Sequence, residues 1–171
     1  IIKKDAPELL EKHLLQPSWK PSPIILSGNT DCYQPIERKL KITRELLTVF
    51  LKYRHPVGII TKNSMILRDL DILKELAAHQ LVKVIISVTT PNEKLRRILE
   101  PRTATVIIKL KVIEKLHTAG IPVSVMSALI IPSINHEEIP SIIKAVAERG
   151  AYDVGYTTVR LNGKIGGLFE G

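Results

Sequence analysis

Val82-Lys83-Val84-Ile85-Ile86-Ser87-Val88 decides the fold. Valine and isoleucine dominate it, and it is too short for an ordinary helix, so it reads as a buried strand. Before it, Leu70, Leu73, Leu76 and Ala77 recur at helical spacing. After it, Pro91-Asn92-Glu93 opens a short helix through Leu99. A longer helix runs from Thr105 to Ala119, closed by Gly120. The alternation continues outward in both directions. Ile24-Ile25-Leu26 and Val57-Gly58-Ile59-Ile60 read as earlier strands, and Val123–Met126 and Val154–Val159 as later ones. Ile42, Leu46, Phe50 and Tyr53 mark a helix over Ile42–Arg54, stopped by Pro56. Ile139, Ile142, Ile143 and Val146 mark another, ending near Gly150. Strands separated by helices pair in parallel through right-handed crossovers. Nearly all-apolar strands are expected when both faces are covered. The fold class is therefore α/β, a curved parallel sheet or partial barrel. Its 171 residues suit one domain, residues 1–171, with no dividing linker.

Composition narrows the function classes. Hydrophobic residues make up 44%, which excludes a disordered chain. No apolar run approaches the ~20 residues of a membrane span. Ile1-Ile2-Lys3-Lys4 is too short and too charged for a signal peptide. A cytoplasmic location is the expectation, and a start at Ile1 without Met reads as a non-native start. Cys32 is the only cysteine, so the chain holds no internal disulfide or cysteine-rich metal site. His13, His55, His79, His117 and His136 are scattered without ligand-like spacing. The net charge of +8 permits nucleic-acid or phosphate partners. Its densest run, Arg38-Lys39-Leu40-Lys41 with Arg44, reads first as a solvated helix face. A non-catalytic basic α/β module that binds nucleic acid is the alternative reading.

In such folds ligands bind beyond the C-terminal ends of the strands. The residues there are Ser27 to Glu37, then Thr61 and Lys62, then Ser87, Thr89 and Thr90. Ser127, the Pro132 loop, Tyr156, Thr158 and Arg160 complete the rim. This rim of hydroxyls and amides with few charges suits an anionic or zwitterionic ligand, such as a nucleotide or amino acid. It lacks a Ser-His-Asp set and a Gly-rich phosphate loop. Gly166-Gly167 precedes no helical pattern and is no dinucleotide fingerprint.

The rim carries a more specific signal. Asn29-Thr30-Asp31-Cys32-Tyr33-Gln34-Pro35-Ile36-Glu37 resembles the Asn-Thr-Asp-x-Tyr-Gln-Pro-x-Glu segment of a bacterial radical S-adenosylmethionine (AdoMet) family related to spore photoproduct lyase. Weaker matches follow in order. They are His55-Pro56-Val57 into Thr61-Lys62, Leu67-Arg68-Asp69, Ser87-Val88-Thr89-Thr90, Leu99-Glu100-Pro101-Arg102, and Gly155-Tyr156 into Arg160-Leu161. The opening Asp5-Ala6-Pro7-Glu8-Leu9-Leu10 also fits, so the resemblance spans nearly the whole chain.

The resemblance implies a partial (β/α)6 barrel that binds AdoMet at the strand tops. It implies a [4Fe-4S] cluster held by a Cys-x3-Cys-x2-Cys loop, with those cysteines expected before Ile1 and no metal site in this chain. It implies a one-electron donor as partner and a 5′-deoxyadenosyl radical that abstracts hydrogen from substrate. A lyase or nucleic-acid-repair-like activity is the finer implication. Thr30 and Ser87 match hydroxyl positions near AdoMet, and Lys62 matches a lysine that pairs with its carboxylate. Asp31 and Tyr33 lie in the signature and complete the expected cofactor-binding set, Tyr33 either shaping the adenosyl pocket or only packing. Thr30 and Asp31 also suit a turn that caps the next helix. Cys32 reads as a structural thiol before a radical relay. Two departures stand out. Gly28 stands where photoproduct lyases carry a hydrogen-donating cysteine. Pro132-Ser133-Ile134-Asn135-His136 stands for a Pro-Gly-Leu-Asn-Asp turn, with Gly and Asp replaced.

Overall fold

The computed structural model describes residues 2–160. Leu161 and Gly166-Gly167 lie outside the described residues. Five parallel strands stand in chain order, β1 (Ile24–Leu26), β2 (Val57–Thr61), β3 (Val82–Ser87), β4 (Val123–Ile130) and β5 (Val154–Thr158). Each pairs in parallel with the next. The helices are α1 (Ala6–Leu14), α2 (Glu37–Leu40), α3 (Ile42–Lys52), α4 (Leu70–Ala78), α5 (Glu93–Leu99), α6 (Val106–Thr118) and α7 (Ile139–Ala147).

Pairing register sorts the side chains by face. Ile59, Val84 and Ile86, with Val123 and Val125, point to the core that α3, α4, α6 and α7 cover. The intervening residues Ile25, Ile60, Ile85 and Met126 face the other way and stay half-buried or exposed. The sequence expectation of two covered faces therefore holds, among the described residues, for one face only. The second apolar face is the concave interior that barrel curvature creates. Gly58 on that face is a close approach, since a Cβ there would meet Ile25 Cδ1 at 2.3 Å.

Several boundaries differ from the sequence reading. β4 runs on to Ile130 through a register shift at Ala128/Ile130. The basic run does not lie on one continuous helix: Lys41 has φ 54°, so α2 ends there and α3 starts anew. Arg54, at φ 49°, turns the chain after α3, ahead of Pro56. Helix α1 has a proline and Glu8 in its first turn and Lys12 and His13 in its last, and its end at Leu14 precedes the Pro-rich approach to β1. Trp19 pins that approach, its Nε1 donating to the buried His55 Nε2 at 3.3 Å. His55 Nδ1 lies 3.0 Å from Pro56 O, so the imidazole bridges Trp19 and Pro56. No helix among the described residues is long and apolar enough to cross a membrane.

Candidate functional site

The loop after β1 is folded by its own carboxylates. Asp31 Oδ1 accepts from Tyr33 N at 2.9 Å. Both carboxylate oxygens also lie near Thr61 Oγ1 at the end of β2, at 2.8 and 3.0 Å, and Oδ2 accepts from Lys62 N at 2.8 Å. Asp31 therefore sets the β1 loop against the residue that carries the Lys62 ammonium. Glu37 works similarly: its Oε2 accepts from Thr43 N at 3.1 Å, fixing the entry to α3.

Tyr33 is 0% exposed. Its hydroxyl donates to Asp69 Oδ2 at 3.1 Å. Burial, and then the Asp69 carboxylate, pushes the phenol above its ordinary range. Asp69 is gripped in turn by Arg68, through Nε at 2.9 Å and Nη2 at 2.8 Å, and by Arg44 at 3.2 Å. The signature residues Tyr33 and Glu37 and the Arg68-Asp69 pair are thus one hydrogen-bonded unit, because Arg68 Nη1 also donates to Glu37 O at 2.7 Å. The ring of Tyr33 offers no open surface in this arrangement.

Thr30 and Asn29 stay exposed above this scaffold. They line a cavity of about 690 Å³ with Ala6, Cys32, Thr43 and Leu46, on the α1 and α3 side of the loop, and Lys62 and Ser87 are not among its lining residues. That volume lies within the roughly 300–1,000 Å³ of small-molecule sites. Ser27 Oγ accepts from Cys32 N at 2.8 Å. Burial pushes the Cys32 thiol up to about 12, so it stays protonated. A larger groove, about 1060 Å³, opens at the opposite end, between Gln80, His117 and Tyr152. In α/β barrels that end carries stability rather than chemistry.

Lys62 does not stand free. Its ammonium contacts Glu100 Oε1, while Glu100 Oε2 accepts from Lys109 Nζ at 2.9 Å. Thr89 Oγ1 lies 2.6 Å from Glu100 Oε1 and 2.6 Å from Ala128 O. Ser87 Oγ reaches the same carbonyl at 3.4 Å. A polar chain thus joins Lys62 to Ser87 across the tops of β2, β3 and β4. Burial alone would raise the Glu100 carboxyl, but Lys109, Lys62 and Thr89 outweigh it and hold it below its ordinary value. Burial holds the Lys109 ammonium below its ordinary value, against the pull of Glu100.

The structure places Lys62 and Ser87 in one network and Thr30 in the adjoining loop, tied to Lys62 through Asp31. Sequence reasoning left Glu100 and Lys109 without roles. The Glu100-Pro101 segment was visible as a motif, but Lys109 lies within an otherwise apolar helix start and carried no signal. Asn135 was also missed. Its Oδ1 accepts from Ile131 N at 2.6 Å, and its Nδ2 donates to Thr89 O at 3.0 Å and Leu129 O at 2.9 Å. Ser133, at φ 64°, adopts the left-handed conformation that the replaced glycine would supply, so the turn survives. Of the basic run, Arg38, Lys39 and Lys41 are exposed, but Arg44 is taken up by Asp71 in a bidentate pair and by Asp69.

The profile of the Radical SAM superfamily matches residues 4–146. An uncharacterised protein of Mycobacterium tuberculosis is 28% identical over 171 residues, 99% of this chain and 50% of its own length. An uncharacterised protein of Methanocaldococcus jannaschii is 27% identical over 135 residues, 78% of this chain and 48% of its own. The chain spans about half the length of the curated relatives it matches. Among solved structures, a spore photoproduct lyase variant with bound AdoMet and dinucleoside spore photoproduct superposes with TM-score 0.69 at 14% identity, over 97% of this chain and 49% of that one. The anSMEcpe protein with bound AdoMet gives 0.64 at 12%, over 92% and 43%. Streptococcus suis SuiB bound to S-adenosylmethionine gives 0.58 at 14%, over 83% and 30%. These likenesses establish the fold, a partial barrel.

Proposed function

The chain belongs to the Radical SAM superfamily, and on that premise we propose that it forms the AdoMet-binding wall of a radical enzyme. The observation that carries the reading is the polar network at the strand tops. There a half-exposed lysine ammonium is linked through Glu100 to the hydroxyl groups of Thr89 and Ser87. The donor set fits the ligand. An ammonium matches a carboxylate, and the hydroxyls and amides of Thr30, Ser87 and Asn29 match a polar nucleoside. In this reading Lys62 binds the methionyl carboxylate, and Thr30 and Ser87 orient the ligand along the strand ends. Asp31 and Tyr33 act one step back, holding the loop and the Lys62 backbone in place. When bound and given one electron, AdoMet supplies a carbon radical that abstracts hydrogen from substrate.

The residues of this chain do not fit the superfamily's iron–sulfur cluster. Such a cluster is held by several thiolates, whereas Cys32 is the one cysteine and its thiol stays protonated. We assign the cluster ligands to sequence before Ile1 and the electron to a separate one-electron donor. The finer reading, a lyase or nucleic-acid-repair-like activity, draws support from the signature at residues 29–37 and from the basic charge. Gly28, in the place of a hydrogen-donating cysteine, weighs against thymine photoproduct repair. The reading of a nucleic-acid-binding module without catalysis is weakened by the pairing of Arg44 with Asp71 and Asp69.

Anaerobic iron and sulfide analysis, with the visible spectrum, tests this assignment on the intact protein beside the 171-residue chain. Cluster in the intact protein and none in the chain alone is the expected result. Absence from both would contradict the radical-enzyme reading.

A further inference from the structure

The Lys62–Glu100–Lys109 cluster has one carboxylate for two ammonium groups, leaving one positive charge in excess. The three side chains are unequally placed. Lys62 is 35% exposed, Glu100 9% and Lys109 3%. The inner pair is sealed, and the outer lysine reaches solvent. A further cation, Arg96, pairs with Glu93 at 2.9 Å, a carboxylate it shares with Arg97, and its Nη1 donates to Glu100 O at 2.7 Å. Thr89 and Thr103 supply the remaining hydrogen bonds to Glu100. No second carboxylate pairs with either ammonium among the described residues, and the nearby Asp31 carboxylate takes the backbone N–H of Lys62 at 2.8 Å.

A buried carboxylate that loses its only counter-charge is strongly penalised. Were Glu100 paired with Lys62 alone, that lysine could not leave it for a ligand without stranding a charge. Lys109 removes this obstacle. We propose that Glu100 and Lys109 form a self-neutralising base from which the Lys62 ammonium is handed to the carboxylate of AdoMet. Glu100 and Lys109 are then positioning residues that never touch the ligand. In the ligand-free state Glu100 holds the ammonium at the strand end, with its long side chain ordered. On binding, the ligand carboxylate takes one positive charge and Lys109 keeps the other on Glu100. The exchange leaves every buried charge paired, and the excess charge makes the site receptive to an anion before it arrives. This inference rests on the functional reading above and adds to it two residues and a reason for their charge balance.

The experiment is equilibrium binding to the intact, cluster-loaded protein of two probes, AdoMet and decarboxylated AdoMet. The second keeps the sulfonium and adenosine and lacks the carboxylate. Lys109→Met is expected to weaken AdoMet roughly ten- to a hundredfold, since Lys62 must now stay with Glu100. It should leave the decarboxylated probe within about twofold, because that probe does not call on Lys62. The double variant Lys109→Met/Glu100→Gln removes the stranded charge, and it should recover most of the lost AdoMet affinity. A merely structural role for Lys109 would weaken both probes alike and give no recovery in the double variant. That pattern, or an unchanged AdoMet affinity in Lys109→Met, overturns the inference while leaving the AdoMet-binding reading intact. Failure of the unaltered protein to bind AdoMet would overturn both. Should Lys109→Met not fold, the double variant carries the test. It frees Lys62 from its carboxylate without leaving Lys109 buried and unpaired, and an AdoMet affinity more than about tenfold below that of the unaltered protein would contradict the exchange.

Discussion

Thr61 Oγ1 lies 2.8 Å and 3.0 Å from the two carboxylate oxygens of Asp31, thirty residues earlier in the chain. This contact joins the signature loop to the end of β2, and the next residue, Lys62, carries the cation of the site. In the proposed site, binding geometry and loop folding are therefore the same problem. Thr61→Val is expected to destabilise by about 1–2 kcal/mol, leaving Asp31 with only its two backbone donors. Asp31→Ala should cost more, because Thr61, Lys62 N and Tyr33 N all lose an acceptor. A urea-unfolding double-mutant cycle should return a coupling of about 1 kcal/mol or more. Additive losses would show that the contact does not bind the loop.

Tyr33 tests the division between scaffold and site. Its ring is fully buried and its hydroxyl is spent on Asp69. Tyr33→Phe should lower stability by about 1 kcal/mol while changing AdoMet affinity by less than about twofold. A large loss of affinity without loss of stability would place the phenol in the ligand pocket instead.

The Glu100 carboxyl gives stability a pH signature. Burial acts to raise it, but Lys109, Lys62 and Thr89 leave it below its unfolded value of about 4.5. A group depressed in the folded state contributes stability that is present above its unfolded value and is lost as pH falls through its folded value. The stability difference between the unaltered protein and Glu100→Gln should therefore be steady, at about 3–5 kcal/mol, from neutral pH down to the ordinary carboxylate range. Below that it should shrink. Thermal melts of both proteins from pH 7 to pH 3 measure it, and a difference that grows on acidification would reverse the sign.

Two left-handed positions make opposite expectations. Ser133 holds φ 64° without the freedom of glycine. Ser133→Gly should relieve that backbone and stabilise by about 0.5–1 kcal/mol, seen as a raised melting temperature. Gly150 has φ 85°, and a Cβ there would lie 2.3 Å from the His117 ring. Gly150→Ala should therefore destabilise by about 1–3 kcal/mol.

The parallel α/β architecture was legible because the strands are short apolar runs and the helices carry clean periodicity. Helix α1 and the length of β4 were not. The first carries no fully buried residue, though Leu10 packs against the core, and the second continues through a bulge into Leu129, which is exposed. The break at Lys41 depends on one backbone angle that no residue type there announces. At the site, Lys62 and Ser87 were visible as strand-end residues. Glu100 and Lys109 were not, because their partnership spans a loop and a helix, and pairing across such distances leaves no spacing to read. The signature itself was visible, but its carboxylates serve the loop, which only the three-dimensional arrangement discloses.

The proposed seating of AdoMet for radical chemistry is tested most directly by the formation of 5′-deoxyadenosine by the intact protein, loaded with cluster under anaerobic conditions and reduced in the presence of AdoMet. The unaltered protein is expected to form 5′-deoxyadenosine and methionine, and Lys62→Met to require much higher AdoMet concentrations for the same rate. A cluster-loaded, reduced protein that binds AdoMet yet never yields 5′-deoxyadenosine would contradict the account.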